Sequence, residues 1–335
     1  MDAVIIKFNR NAKVINKAQS EVRDPVNKPA LILRSQSKYF LKLAKSSTGI
    51  VMKNIIVPID FSEDSQKGIE LALMFSDRQK TNIQLVYVQK KSSDYNSPGH
   101  FEEEKEWANK QFVELIHRYE PKLKNNSTID YIIKSGKIFK EVVGQVESFN
   151  EAMVAASTHG ASGFEEFFMG SNAFKIISAT EKPVLTTRTG NIPQQISKII
   201  MPIDVTIDTR QKVPFTASLA KFFDAEVHII TISSSKGKRI IDRLNAYAKQ
   251  ASGYFKARDV NYKIKSLYGE NVVDLIVVYA DSVDADMITI MKEQSRSLNL
   301  MSNLTHQLLN RATIPVLTLS NKETHIMTGF STHGD

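Results

Sequence analysis

The stretch Ser157-Thr-His-Gly160 is followed by nine residues and then by Gly170-Ser171, directly ahead of apolar positions with helical spacing. Residues of these types suit phosphate. A glycine lets main-chain amides approach a phosphate closely, and a helix start adds unpaired N–H groups and partial positive charge. The Ser171 hydroxyl is a further donor for a phosphate oxygen. A plainer reading fits the same residues: Gly160 serves a turn and Ser171 caps a helix. Spacing alone does not separate the two.

Other candidates for chemistry are weaker. His159 has no Ser or Cys nucleophile and no orienting carboxylate that the sequence pairs with it, so a loop histidine bonded to backbone is the better reading. Glu165-Glu166 reads as a solvated face rather than an acid/base pair. Phe164, Phe167, Phe168 and Met169 read as cover over the loop, with a partner surface as the alternative. The seven histidines form no His-x-x-x-His pair, and there are no cysteines. That removes thiol chemistry, disulfides and Cys-type metal sites. Neither a Walker-type phosphate loop nor a Gly-x-Gly-x-x-Gly run is present.

The elements that must carry the loop are written twice. Asn54-Ile-Ile-Val-Pro-Ile-Asp60 and Lys198-Ile-Ile-Met-Pro-Ile-Asp204 lie 144 residues apart and differ at two positions. Pro183-Val-Leu-Thr186 and Pro315-Val-Leu-Thr318 close the two units. In the first unit, short apolar runs at 55–60, 83–88, 129–133, 152–156 and 183–187 read as strands buried on both faces. Helical stripes alternate with them, the first capped by Ser62 with Glu63 and Asp64 in its opening turn. The second unit repeats the order, with strands at 198–204, 226–232, 261–267, 286–291 and 315–319. Proline opens the last strand of each, which predicts a strand at the sheet border. Thr189–Gln195 is a short polar linker.

Strand–helix alternation predicts α/β architecture: two tandem, doubly wound, five-stranded parallel-sheet domains of Rossmann-like type. Ligands of such sheets bind beyond the carboxyl ends of the strands, where the strand order reverses. Asp60 follows strand one and Ser157–Gly160 follow strand four. If those strands adjoin across the reversal, both groups face one crevice.

The Pro-x-Asp-Phe-Ser pattern after strand one, the Thr-His-Gly loop and the Gly-Ser at the helix start resemble the universal stress protein family. The resemblance covers 53–188 well and 197–320 more weakly, so the chain looks like a tandem member, with an adenine nucleotide alpha hydrolase-like fold. The family's ATP signature is Gly, two residues, Gly, nine residues, then Gly-Ser or Gly-Thr. Its second and third glycines fall on Gly160 and Gly170, with Ser171 and Asn172 after them, while Ser157 stands where the first glycine belongs. The resemblance implies a site at Pro58, Asp60, Val88, Ser157, Gly160, Gly170, Ser171 and Asn172. Asp60 would approach the adenosine end, the backbone near Val88 would border adenine, and the loop would hold the phosphates of ATP, with or without magnesium.

The second unit keeps Asp204 but has Met301-Ser302 in place of Gly170-Ser171, and no glycine between Gly269 and Gly329. It is expected to be structural. The expected function is a non-catalytic, ATP-gated adaptor; a scaffold that binds no nucleotide and a slow ATPase are the alternatives. Two units in one chain are expected to form an intramolecular pseudo-dimer through their border strands, with protein partners unidentified.

Charge is uneven. Residues 1–52 hold ten Lys/Arg against three Asp/Glu, and the other 283 hold 34 against 33. The pI of 9.3 thus belongs to a basic leader, expected to be disordered or outside a functional chain that starts near Met52. On that count no nucleic-acid partner is expected. No apolar run suggests a membrane span, and the composition suits the cytoplasm. Residues 321–335 read as a tail.

Overall fold

The computed structural model describes residues 52–90, 98–158, 171–188, 192–206, 208–292 and 303–320. All of them belong to one compact unit, Thr48–Asp335. The first half carries strands β1 (Asn54–Pro58), β2 (Asn82–Gln89), β3 (Thr128–Ser135), β4 (Ala152–Ser157) and β5 (Val184–Thr187). Its helices are α1 (Glu63–Ser76), α2 (Pro98–Tyr119), α3 (Ile138–Glu147) and α4 (Ser171–Ala179). The second half carries β6 (Lys198–Ile203), β7 (Glu226–Ser233), β8 (Tyr262–Tyr268), β9 (Met287–Met291) and β10 (Val316–Leu319). Its helices are α5 (Val213–Phe223), α6 (Lys238–Lys256), α7 (Val272–Ser282) and α8 (Asn303–Arg311).

The strands form a single ten-stranded sheet of order β3-β2-β1-β4-β5-β10-β9-β6-β7-β8. Every pairing is parallel except β5 with β10, which is antiparallel, with Leu185 opposite Leu317. The Pro-led strands are thus the border strands of their own halves, as expected, and the halves join through them. Each closes its own half, but the two strands then pair, so both lie at the centre of the sheet. The prolines fit because each sits just outside its strand and contributes only a carbonyl: Pro183 accepts from Val154 N–H, and Pro315 from Ile288 N–H, both at 3.0 Å.

Both faces of the sheet are covered, and each core runs across the seam. One core joins Ile69 and Phe75 of α1 and Phe112 of α2 to Phe215 of α5 and Phe255 of α6. The other joins Val142 of α3 and Ile177 of α4 to Ile276 of α7 and Leu308 of α8. Phe75 stacks on Phe222 at 5.7 Å and meets Phe223 edge-on at 5.3 Å. Lys292 Nζ donates to the carbonyls of Ser178 (2.8 Å) and Thr180 (3.0 Å), tying β9 to the end of α4. The continuous apolar runs are the reason: strands such as Ile55–Val57 and Ile199–Met201, fully buried, require helices on both sides.

Candidate functional site

The site begins where β1 and β4 part. Their pairing runs from Asn54 opposite Ala152 to Ile56 opposite Val154 and stops there. Pro58, two residues on, turns toward the same side because strand residues alternate, and it has no N–H to offer a ladder. The same device recurs in the second half, where β6–β9 pairing ends at Ile200 opposite Ile288, two residues before Pro202. Strand order thus reverses between β1 and β4, the place where sheets of this type bind ligands, and Asp60 and Ser157 stand at the carboxyl ends of those two strands.

On the other side, β1 runs longer against β2. Pairing ends at Pro58 opposite Val86, and Ile59 N–H donates to the Val86 carbonyl at 2.9 Å. Val88, two residues further, therefore turns its main-chain groups toward β1 beyond the last β1 partner. That edge suits a flat heterocycle with adjacent donor and acceptor. The Val88 side chain itself is buried.

Asp60 is exposed and holds the turn from β1 into α1. Its Oδ1 accepts from Ser62 N–H at 3.1 Å and from Ser62 Oγ–H at 2.6 Å. Ser62 Oγ in turn accepts from Ser65 N–H at 3.1 Å as the N-cap of α1. Gly68 lets α1 lie close upon the sheet, since a Cβ there would stand 2.8 Å from the Ala155 carbonyl oxygen and from Val57 Cγ1. Ser157 is buried at the end of β4, paired with Thr187, and Thr158 N–H donates to the Thr187 carbonyl at 2.8 Å.

Of the predicted residues, Pro58, Asp60, Val88 and Ser157 come together at the carboxyl ends of three adjacent strands, β2, β1 and β4. Ser171 opens α4, and Asn172 is half-buried in its first turn. Gly160 and Gly170 lie outside the described residues, as do His159, Glu165, Glu166 and the aromatic stretch 164–169.

An aromatic cluster beside Asp60 was not anticipated. Phe61 has φ +67°, a left-handed conformation that side chains avoid. Its ring lies 5.1 Å from Tyr87, 5.0 Å from Trp107 and 4.9 Å from Phe112. Tyr87 Oη–H donates to Glu104 Oε1 at 2.6 Å. Burial, that bond and the charges of Glu104 and Asp60 all raise the Tyr87 pKa, so the phenol stays protonated. These rings come from the first turn, β2 and α2, so no local pattern announces them.

The second half repeats the turn and changes the floor. Asp204 Oδ1 accepts from Thr206 N–H at 2.8 Å and from Thr206 Oγ1–H. Thr209 Oγ1 accepts from Asp204 N–H at 3.3 Å, as Ser65 Oγ does from Asp60 N–H at 3.4 Å. Where the first half has Gly68, the second has Lys212, whose side chain is 2% exposed. Its Nζ donates to Thr209 O at 2.6 Å and Oγ1 at 3.1 Å. Burial lowers its pKa to about 8, the charge of Asp204 opposing the shift. A 3₁₀ turn, Asp208–Arg210, replaces the opening of the helix, and Arg210 stacks 3.7 Å from the Tyr247 ring centroid. Met301 and Ser302, expected to mark the lost cradle, lie outside the described residues.

Residues 52–188 match the universal stress protein family, the family indicated by the Asp-Phe-Ser and Gly-Ser motifs. No curated protein matches the sequence. Among solved structures, a universal stress protein from Archaeoglobus fulgidus DSM 4304 is similar, with 17% identity and a TM-score of 0.65 over 81% of this chain and 97% of that one. A putative universal stress protein from Pseudomonas aeruginosa UCBPP-PA14 has 15% identity and a TM-score of 0.59, over 82% and 96% of the two chains. These likenesses show the fold: an α/β architecture shared over 81–82% of this chain and nearly all of the others.

Proposed function

We propose that this chain, a universal stress protein over residues 52–188, binds ATP in its first half and serves as a non-catalytic adaptor. The observation that carries the reading is the strand-order reversal between β1 and β4. There the main-chain edge of Val88 beyond its last β1 partner, the turn that holds Asp60 and the end of β4 lie on adjacent strands. Adenine would take the Val88 edge, and the ribose would lie toward Asp60. Ser157, Gly160, Gly170, Ser171 and Asn172 would hold the phosphates ahead of α4, whose N-terminus favours negative charge. Among the described residues no group of three or more His, Asp or Glu side chains converges, so magnesium would enter on the phosphates rather than in a protein cage.

In this reading the chain divides at 189–195 into a nucleotide-competent domain, 53–188, and a second, 197–320, that supports it. Lys212 favours that asymmetry, because it buries an amine at the position where Gly68 lets helix and sheet touch. The antiparallel β5–β10 seam serves as the interface of an intramolecular pseudo-dimer. ATP bound there would alter a surface that protein partners read in the cytoplasm. Among the described residues no helix is long and apolar enough to cross a membrane.

The scaffold reading has one observation in its favour. The Asp–Ser–Ser turn recurs as Asp204–Thr206–Thr209, which shows that a capped turn alone is reason enough for an aspartate there. A thermal shift with Mg-ATP separates the two. Ligand at about 100 times its Kd adds about 2.7 kcal/mol, so the nucleotide reading expects a raised Tm and the scaffold an unchanged one at millimolar ATP.

A further inference from the structure

The near-zero charge balance of residues 53–335 hides a segregation. Between Lys236 and Lys265 the chain holds nine Lys/Arg against two Asp/Glu. Eight of those nine cations are exposed, and they lie on α6, its flanks and the edge strand β8. The corresponding helix of the first half is α2, which opens with Glu102, Glu103, Glu104 and Glu106 against Lys105. α2 packs on β2 and β3, and α6 on β7 and β8. The basic and acidic helices therefore stand on the same face of the sheet, at its two opposite ends.

Apolar exposure follows the same division. The large hydrophobic side chains exposed among the described residues are Trp107 (46%), Val113 (63%), Ile264 (49%) and Val278 (66%). The first two lie on α2. Ile264 is on β8, and Val278 is on α7, which packs against β8. Apolar groups inside a charged rim are the composition of a protein–protein interface. A bare polyanion would neutralise the cations and leave these side chains wet.

We propose that a second copy of this chain covers each end: the β8/α6 end of one molecule docks on the β3/α2 end of the next. The edges choose this pairing over its alternatives. Lys263, paired with Glu226, and Lys265 on β8 disfavour another β8, whereas β3 carries the exposed Asp130 and a Lys134 that faces Glu141. The halves run in opposite directions across the seam, so β3 of one copy meets β8 of the next antiparallel, repeating the β5–β10 arrangement. α2 and α6 then lie side by side and antiparallel, which brings Glu103 and Glu106 to the Lys249 and Lys256 half of α6. The contact uses two different surfaces, so it propagates head to tail rather than closing as a symmetric dimer.

Sedimentation velocity on the full chain at about 50 mM and about 500 mM salt tests this, since the higher salt shortens electrostatic range to a few ångströms. We expect a mass that grows with concentration beyond two chains at low salt and falls to the single-chain 37.7 kDa at high salt. Lys249→Glu with Lys256→Glu should stay single at low salt, as should Glu103→Lys with Glu106→Lys. Mixing the two variants should restore assembly, because each then offers the charge the other lacks. A single-chain mass for the wild type at both salts overturns the proposal, without any variant having to fold. Assembly that survives either reversal, variants that stay apart when mixed, or assembly that requires added heparin also overturns it.

Discussion

Gly68 and Lys212 occupy the same position in the two copies of the repeat, one allowing α1 to touch β4 and the other burying an amine beneath the matching turn. The exchange is one of the differences between two halves whose first strands are nearly identical.

Gly68→Ala should destabilise the protein by about 1–3 kcal/mol, as overpacking does elsewhere. The new methyl would meet a main-chain oxygen at 2.8 Å, which cannot swing aside as a flexible side chain could. Urea denaturation followed by circular dichroism should show a lower midpoint with an unchanged slope. A midpoint equal to wild type would mean that α1 has room to lift.

Lys212→Met should stabilise the protein, and by an amount that depends on pH. The folded amine titrates near 8, below its ordinary 10.5, so the charged form is the one penalised by folding. The penalty, about 3 kcal/mol, is present in full below pH 8. It fades as pH rises toward 10.5, and this group makes the wild type more stable over that window. The Met variant lacks this rise. Stability measured at pH 7 and pH 10 in both proteins checks the sign; a variant less stable than wild type at pH 7 would contradict it.

Trp107 is the one tryptophan of the chain, half-exposed and set edge-on to Phe61 beside Asp60. Nucleotide bound there should change its emission in a saturable way. Asp60→Asn keeps an oxygen to accept from Ser62, so the turn survives while the charge is lost. That variant should shift the titration to higher nucleotide concentration, whereas an identical curve would remove Asp60 from the adenosine end.

Much of this arrangement was legible in the residues. Ile55–Val57, Ile199–Met201 and their relatives announce strands buried on both faces, and Ser62 announces the start of α1. That Asp60 and Ser157 end adjacent strands was legible only as a condition, because strand–helix alternation gives parallel sheets but not their strand order. The seam was half legible. Pro183 and Pro315 mark the strands that end each half, and the family resemblance implied that the halves join through them, although the pairing itself rests on surfaces 130 residues apart (Thr186 Oγ1 to the Val316 carbonyl, 3.3 Å). The Phe61–Tyr87–Trp107 cluster was not legible, since its members are brought together only by folding. The basic segment around α6 was lost to averaging, the nine cations of residues 236–265 being balanced by acids elsewhere.

The central claim is that polyphosphate is held in the first half alone. Isothermal titration of the full chain with Mg-ATP, alongside Gly170→Val, tests it most directly. We expect one site per chain in the wild type and no detectable binding in the variant, whose β-branched side chain would block phosphate approach at an otherwise intact fold. Two sites per chain, or equal affinity in the two proteins, would contradict it.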